Sequence, residues 1–219
     1  MTPRKYPLIV FDWDGTLFDS AAVITDCIQQ AARDMGLPVP DRRTARHVIG
    51  LGLRDSLRHA LPTLPREHYA DFLARYRGYF IEREDSLTLF PGVTELLAEL
   101  KGRGHRLAVA TGKPRGGLDR ALQGSGIGEM FAATRCGDET QPKPHPAMLL
   151  ELMADLALEK NELLMIGDTS HDLGMAQNAG VDAVAVGYGA HPLESLRAWR
   201  PRACVSSIGE LRQWLTKNA

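Results

Sequence analysis

The sequence predicts a doubly wound α/β sheet carrying an all-helical insert, on three observations. Six short apolar runs, at 6–12, 106–111, 130–136, 162–168, 182–187 and 202–207, read as strands covered on both faces. Helical segments at 92–103, 114–124, 145–157, 170–179, 192–199 and 207–217 separate and follow the later runs, the alternation expected of a parallel sheet with crossover helices. Between Phe18 and about Asp85 the alternation stops and no convincing strand is found.

Each element has its own local grounds. The first run, "YPLIVF", is rich in branched and aromatic residues and ends on two aspartates. The segment 20–36 has helical periodicity, with Ser20 placed as an N-cap and Gly36 as a C-cap. "DRRTARHVIG", "LRDSLRHAL" and "REHYADFLARYRGYFIERE" supply three further helices. Pro91, Pro114 and Pro146 stand at or near later helix starts, where a missing N–H costs little. The expected division is an α/β core of residues 1–17 and 86–219, interrupted by a helical cap at 18–85.

The 219 residues are 44% hydrophobic and 24% charged, with a formal net charge of −1, which offers no basic surface for nucleic acid or an anionic membrane. No apolar run approaches the ~18 residues of a membrane span, and "MTPRKYPLIV" is too soon interrupted for a secretory signal. Cys27, Cys136 and Cys204 lie far apart with no CxxC spacing, so they are expected as free thiols in a cytoplasmic protein.

Four motifs fall at strand ends, where open α/β sheets bind ligands. They are Asp12-Trp13-Asp14-Gly15-Thr16, Thr111-Gly112-Lys113, "QPKPHP" around Lys143, and Gly167-Asp168-Thr169-Ser170-His171-Asp172. Two aspartates ending one apolar strand repel each other unless a cation joins them. Clustered carboxylates supply oxygen ligands for Mg²⁺, while a lysine and a hydroxyl stabilise charge on a transferring phosphoryl group. One aspartate is then free to attack and the other to shuttle a proton. Gly15 permits a tight turn that lets backbone N–H groups approach a phosphate.

"DWDGTLFDS", "TGK", "KPHP" and "GDTSHDLGMAQNAG" resemble, in order and spacing, the motifs of the haloacid dehalogenase-like hydrolases. The likeness is closest to the phosphoglycolate phosphatase-like branch, whose helical cap follows the first strand. The resemblance implies that Asp12 is the nucleophile forming an aspartyl-phosphate and Asp14 the acid and base. It implies that Mg²⁺ is held by Asp12, the Asp14 carbonyl and Asp168, with Asp172 as a further or outer ligand. Thr111, the Gly112 amide and Lys143 would grip the phosphoryl oxygens. Asp14 stands where dehalogenases have no aspartate, so a phosphatase or phosphomutase is favoured. "TGK" replaces the Thr-Asn-Lys that phosphoglycolate phosphatases often carry.

The expected partner is a small phosphorylated metabolite, 2-phosphoglycolate being the leading example, with phosphomutase and pyrophosphatase or nucleotide phosphatase as alternatives and a non-catalytic binding protein behind them. Monomer and homodimer both remain open. In the insert, the glycine-flanked turn at 49–53 could bend over the site and bring His47 or Arg54 to the leaving group. Asp19 and Ser20 read as hinge and cap-helix signals, His145 and His171 as helix-start residues, and Lys113, Arg115 and Arg120 as a solvated basic face.

Overall fold

Leu8–Phe11 (β1) is apolar at all four positions because helices cover both of its faces. The computed structural model describes residues 5–219; residues 1–4, assigned above to the core, lie outside the described residues. After β1 come α1 (Ala21–Asp34), α2 (Arg42–His47), α3 (Leu53–Ala60) and α4 (Tyr69–Glu84). The alternating part follows, as α5 (Val93–Gly102), β2 (Arg106–Thr111), α6 (Arg115–Ser125), β3 (Ala133–Cys136) and α7 (Ala147–Leu156). It continues through β4 (Leu163–Gly167), α8 (Ser170–Ala179), β5 (Asp182–Val186), α9 (Leu193–Arg197), β6 (Ala203–Val205) and α10 (Ile208–Asn218). Every expected strand and helix is present, most of them trimmed at one or both ends.

The six strands are all parallel, in the order β3-β2-β1-β4-β5-β6. β1 therefore lies between β2 and β4, with Phe11 opposite both Val109 and Ile166. One face of the sheet packs Ile9, Phe11, Val109 and Ile166 against Leu96, Leu118 and Leu211 of α5, α6 and α10. The other packs Val10, Ala110 and Met165 against Leu149, Leu173 and Leu196 of α7, α8 and α9. The core thus sits in two layers, and the carboxyl ends of β1, β2 and β4 share one rim.

α1 to α4 enclose a separate apolar cluster that includes Ile24, Ile28, Leu57, Phe72 and Phe80. The chain enters and leaves these helices side by side: Asp19 N–H donates to the Thr88 carbonyl at 2.9 Å and Phe90 N–H to the Leu17 carbonyl at 3.0 Å. Ser20 precedes α1 but makes no capping bond there. Its hydroxyl donates to Asp14 at 2.7 Å, a charge-assisted bond that turns the side chain toward the aspartate. All three cysteines are free thiols, two of them buried, and no helix of the described residues is long and apolar enough to cross a membrane.

The helices descend closest to the sheet at Gly112. A Cβ built there would stand 2.4 Å from the Gly50 carbonyl oxygen and 2.6 Å from that of Leu51. Gly112→Ala must therefore push the 48–52 turn outward. Amide hydrogen exchange at residues 48–52 should accelerate at least tenfold while β1 and β4 stay protected; unchanged exchange there would show that the turn does not bear on Gly112.

Candidate active site

The Asp12 N–H donates to the Ile166 carbonyl at 2.9 Å, which carries the sheet ladder one residue past β1 and fixes the first aspartate at the rim. Asp168 follows the last residue of β4. Asp172 lies in the first turn of α8, where Thr169 is the N-cap: the Thr169 hydroxyl accepts from the Asp172 N–H, and the Asp172 carboxylate accepts the Thr169 N–H at 3.0 Å. Carboxylate oxygens of Asp12, Asp168 and Asp172 lie within 4.8 Å of one another, and all three residues are buried.

One lysine serves two of the three acids. Lys143 Nζ stands 2.6 Å from Asp12 Oδ1 and 2.6 Å from Asp172 Oδ1, fully buried. Asp172 has both oxygens engaged, since Oδ2 takes the Thr169 amide and hydroxyl. Asp168 accepts from the Thr16 hydroxyl at 2.7 Å and the Ala190 N–H at 2.6 Å. Asp12 Oδ2 is buried and has no hydrogen-bond partner among the described residues. An orphaned buried oxygen beside two more carboxylates, with a single ammonium against them, is a donor set that suits a hard divalent cation.

The electrostatics follow. Burial pushes the Asp12 carboxyl well up; Lys143 opposes this, and Asp172 and Asp168 reinforce it. Burial, with the Asp172 charge behind it, raises Asp168 to about 7. Burial alone would depress Lys143, but Asp12 and Asp172 outweigh it and hold its ammonium protonated far above the usual range.

Asp14 occupies the other side of the turn. Its carboxylate takes the Ser20 hydroxyl at 2.7 Å and Lys113 Nζ at 3.2 Å from each oxygen. That ammonium also lies 4.5 Å over the Phe80 ring. Gly15 makes the turn, with φ of +91°, and a Cβ there would come 2.3 Å from Asp168 Oδ2. Thr111 is buried at the end of β2, its oxygen accepting the Lys113 N–H at 3.2 Å.

The rim therefore brings together Asp12, Asp14, Gly15, Thr111, Gly112, Lys143, Asp168 and Asp172 as expected from their motifs. Arg54 is exposed on α3 and lines no cavity of the site. His47 turns away from it: its carbonyl accepts from His171 Nε2 at 2.7 Å and His191 Nε2 at 3.0 Å, with its ring against both imidazoles. These three histidines are close enough for a metal. However, the Ser170 N–H occupies His191 Nδ1 at 3.0 Å, so the proton sits on Nε2 and faces the carbonyl. They dock the helices. Arg115 pairs with Glu139 and Asp119, and Arg120 with Glu84, a solvated face as expected. Lys113 departs from that reading and reaches into the site. Thr16 and Lys113 stand inside the first and second motifs, where no role was expected of either; Ser20 read as a helix cap, and Ala190 carried no signal.

A family model described as haloacid dehalogenase-like hydrolase matches residues 9–186. The "Probable phosphatase IndB" of Dickeya dadantii is 37% identical, over 94% of this chain and 91% of its own. A phosphoglycolate phosphatase of Colwellia psychrerythraea is 31% identical, over 96% and 97%. Among solved structures, one described as a haloacid dehalogenase-like hydrolase from Bacteroides fragilis superposes with a TM-score of 0.86 at 26% identity, covering 94% of this chain and all of that one.

The carboxylate cluster should be visible in stability. A carboxyl whose folded value is raised holds its proton more tightly folded than unfolded, so the cation-free fold loses stability as pH rises through that value. Asp168, at about 7, does so between roughly 4 and 7. His171, depressed to about 4 by burial, acts in the opposite sense and only below ~6.5. In EDTA, the Asp12→Asn protein should match or exceed wild type in Tm, with a margin widening to about 3 °C as pH rises from roughly 4 to 7, as removal of one like charge worth ~1 kcal/mol implies. A variant less stable than wild type at pH 8.5 would contradict the repulsion.

Proposed function

The chain belongs to the haloacid dehalogenase-like hydrolase family and is a phosphatase, and from that premise we propose a Mg²⁺-dependent phosphomonoesterase that works through a phosphorylated Asp12. The observation that carries the reading is the orphaned oxygen of Asp12, held in place by Lys143 within a cluster of acids. A side chain locked at one oxygen and unpartnered at the other is placed to bond to something that the protein does not itself supply.

Asp12 and Asp168, with the Asp14 carbonyl, would hold the cation. Asp172, both of whose oxygens are engaged, acts behind them by keeping Lys143 in register. A bound Mg²⁺ supplies charge neutralisation for the acids and for the phosphoryl oxygens. The Asp12 carboxylate attacks phosphorus, the ester P–O bond breaks, and Asp14 gives its proton to the departing alkoxide. Asp14 then takes a proton from water, whose oxygen attacks phosphorus and frees Asp12 with release of inorganic phosphate. Ser20 and Lys113 orient the Asp14 carboxyl for both transfers. Thr111, the Gly112 amide and Lys143 bind the phosphoryl oxygens through the donors they keep in this geometry.

The helices of 18–85 serve as the cap in this reading, excluding water from the phosphoryl group. A small organic phosphate fits a site covered in this way, and a cytoplasmic setting fits the free thiols.

Asp12→Asn is nearly isosteric and should lower kcat on the order of 1,000-fold or more without unfolding the protein. Asp14→Asn should slow release of phosphate from Asp12, so that acid-quenched enzyme yields the peptide containing Asp12 in phosphorylated form. Substantial turnover by Asp12→Asn, or phosphate trapped on another residue, would refute the assignment. EDTA should abolish activity and Mg²⁺ restore it, with Ca²⁺ a poor substitute because its looser coordination misplaces the attacking carboxylate.

A further inference from the structure

Between the inserted helices and the sheet rim lies a cavity of about 360 Å³ that opens on Asp14, Gly112 and Lys113. Its walls come from α1, α3 and α4, chiefly Ile24, Ile28, Leu57, Phe72, Tyr76 and Phe80. Four of these, Ile24, Leu57, Phe72 and Phe80, are no more than 7% exposed. The size lies in the range of small-molecule sites, and the lining is mostly apolar.

Most polar groups of this space are already committed, with Tyr76 and Arg77 as the exceptions. Lys113 is paired with both oxygens of Asp14, and Arg120 with Glu84. Ser56 donates its hydroxyl to carbonyls of its own segment. Arg77 is exposed at the outer edge. Within the cavity the Tyr76 hydroxyl has no hydrogen-bond partner among the described residues, and it stands close enough to Asp14 for that charge to add to burial in raising the phenol.

An apolar cavity contiguous with a proton-donating carboxylate receives whatever leaves with that proton. Resting on the phosphomonoesterase reading, we propose that the leaving group is an apolar alcohol, an aryl or medium-chain alkyl body, seated among Ile28, Leu57, Phe72 and Phe80 with Tyr76 as its single polar contact. A leaving group that carries its own carboxylate, such as that of 2-phosphoglycolate, would bring a charge into an interior whose unpaired cation, Arg77, stands exposed at the outer edge, away from the apolar walls.

The test is a series of linear alkyl phosphates from ethyl to hexyl, whose leaving alcohols differ little in reactivity, assayed with Mg²⁺ beside 2-phosphoglycolate. The expected result is a rise in kcat/KM of about threefold per methylene, on the order of 100-fold across the series, with hexyl phosphate well above 2-phosphoglycolate. Leu73→Ser and Ile81→Ser, at partly open positions of the wall, should flatten that slope without unfolding the protein. A flat series with 2-phosphoglycolate preferred would overturn the proposal and leave the phosphatase reading standing. Calorimetric binding of the same esters to the Asp12→Asn protein separates the two readings when turnover is absent. A Kd that tightens with chain length keeps the pocket and sinks the hydrolytic reading, whereas a Kd independent of chain length sinks the pocket.

Discussion

Three buried carboxylates compete for one buried ammonium, and most of the rim is arranged around that shortage. Lys143 reaches Asp12 and Asp172 equally, at 2.6 Å each, and leaves Asp168 to neutral donors. Hydrogen bonds from Thr16, Thr169 and the Ala190 amide hold the acids in place without cancelling their charge. Taking charged groups out of water is costly unless they are paired. The deficit here is local, concentrated, and open at Asp12 Oδ2. A protein selected for stability alone would replace one of these acids; a protein that binds a divalent cation and a phosphate needs them all.

The same rim ties chemistry to the position of the helices above it. The segment Gly189–His191 gives an amide to Asp168 and, through the Gly189 and Ala190 carbonyls, accepts Arg46 from the end of α2. His191 and His171 donate to the carbonyl of the next residue, His47. Three hydrogen bonds to the loop that gives its amide to Asp168, and a fourth from His171 of α8, thus seat the 46–52 stretch, and the turn then passes directly over Gly112. Displacing the helices therefore disturbs the Asp168 loop as well as the backbone at Gly112.

Much of this was legible in the sequence, for reasons that differ by element. β1 and β4 are short, uninterrupted apolar runs ending in Asp and Gly-Asp, and such runs have few alternatives to a buried parallel strand. Because β1 is central, the acids after it and after β4 had to meet. Lys113 stood in the second motif yet read as part of a solvated basic face with Arg115 and Arg120, because three like charges close in sequence do not say which of them turns inward. Ser20 read as a helix cap because serine before an apolar helix normally is one; only the fold reveals the carboxylate of Asp14 beside it. Arg54 and His47 were drawn toward the site by a glycine-rich turn whose direction depends on contacts with Gly112 and His171 far along the chain. The apolar cavity was the least visible feature. Its wall residues have the periodicity of any packed helix, and the gap between them arises from how α1, α3 and α4 cross.

Diffraction from crystals grown with Mn²⁺ in place of Mg²⁺ tests the central claim most directly, because the anomalous signal locates the ion without assumptions about mechanism. The account predicts one peak at the rim, bonded to carboxylate oxygens of both Asp12 and Asp168 at about 2.2 Å, with Lys143 still against Asp172. Crystals of catalytically active protein with no ion at those carboxylates, or with the ion held instead by His47, His171 and His191, would contradict it.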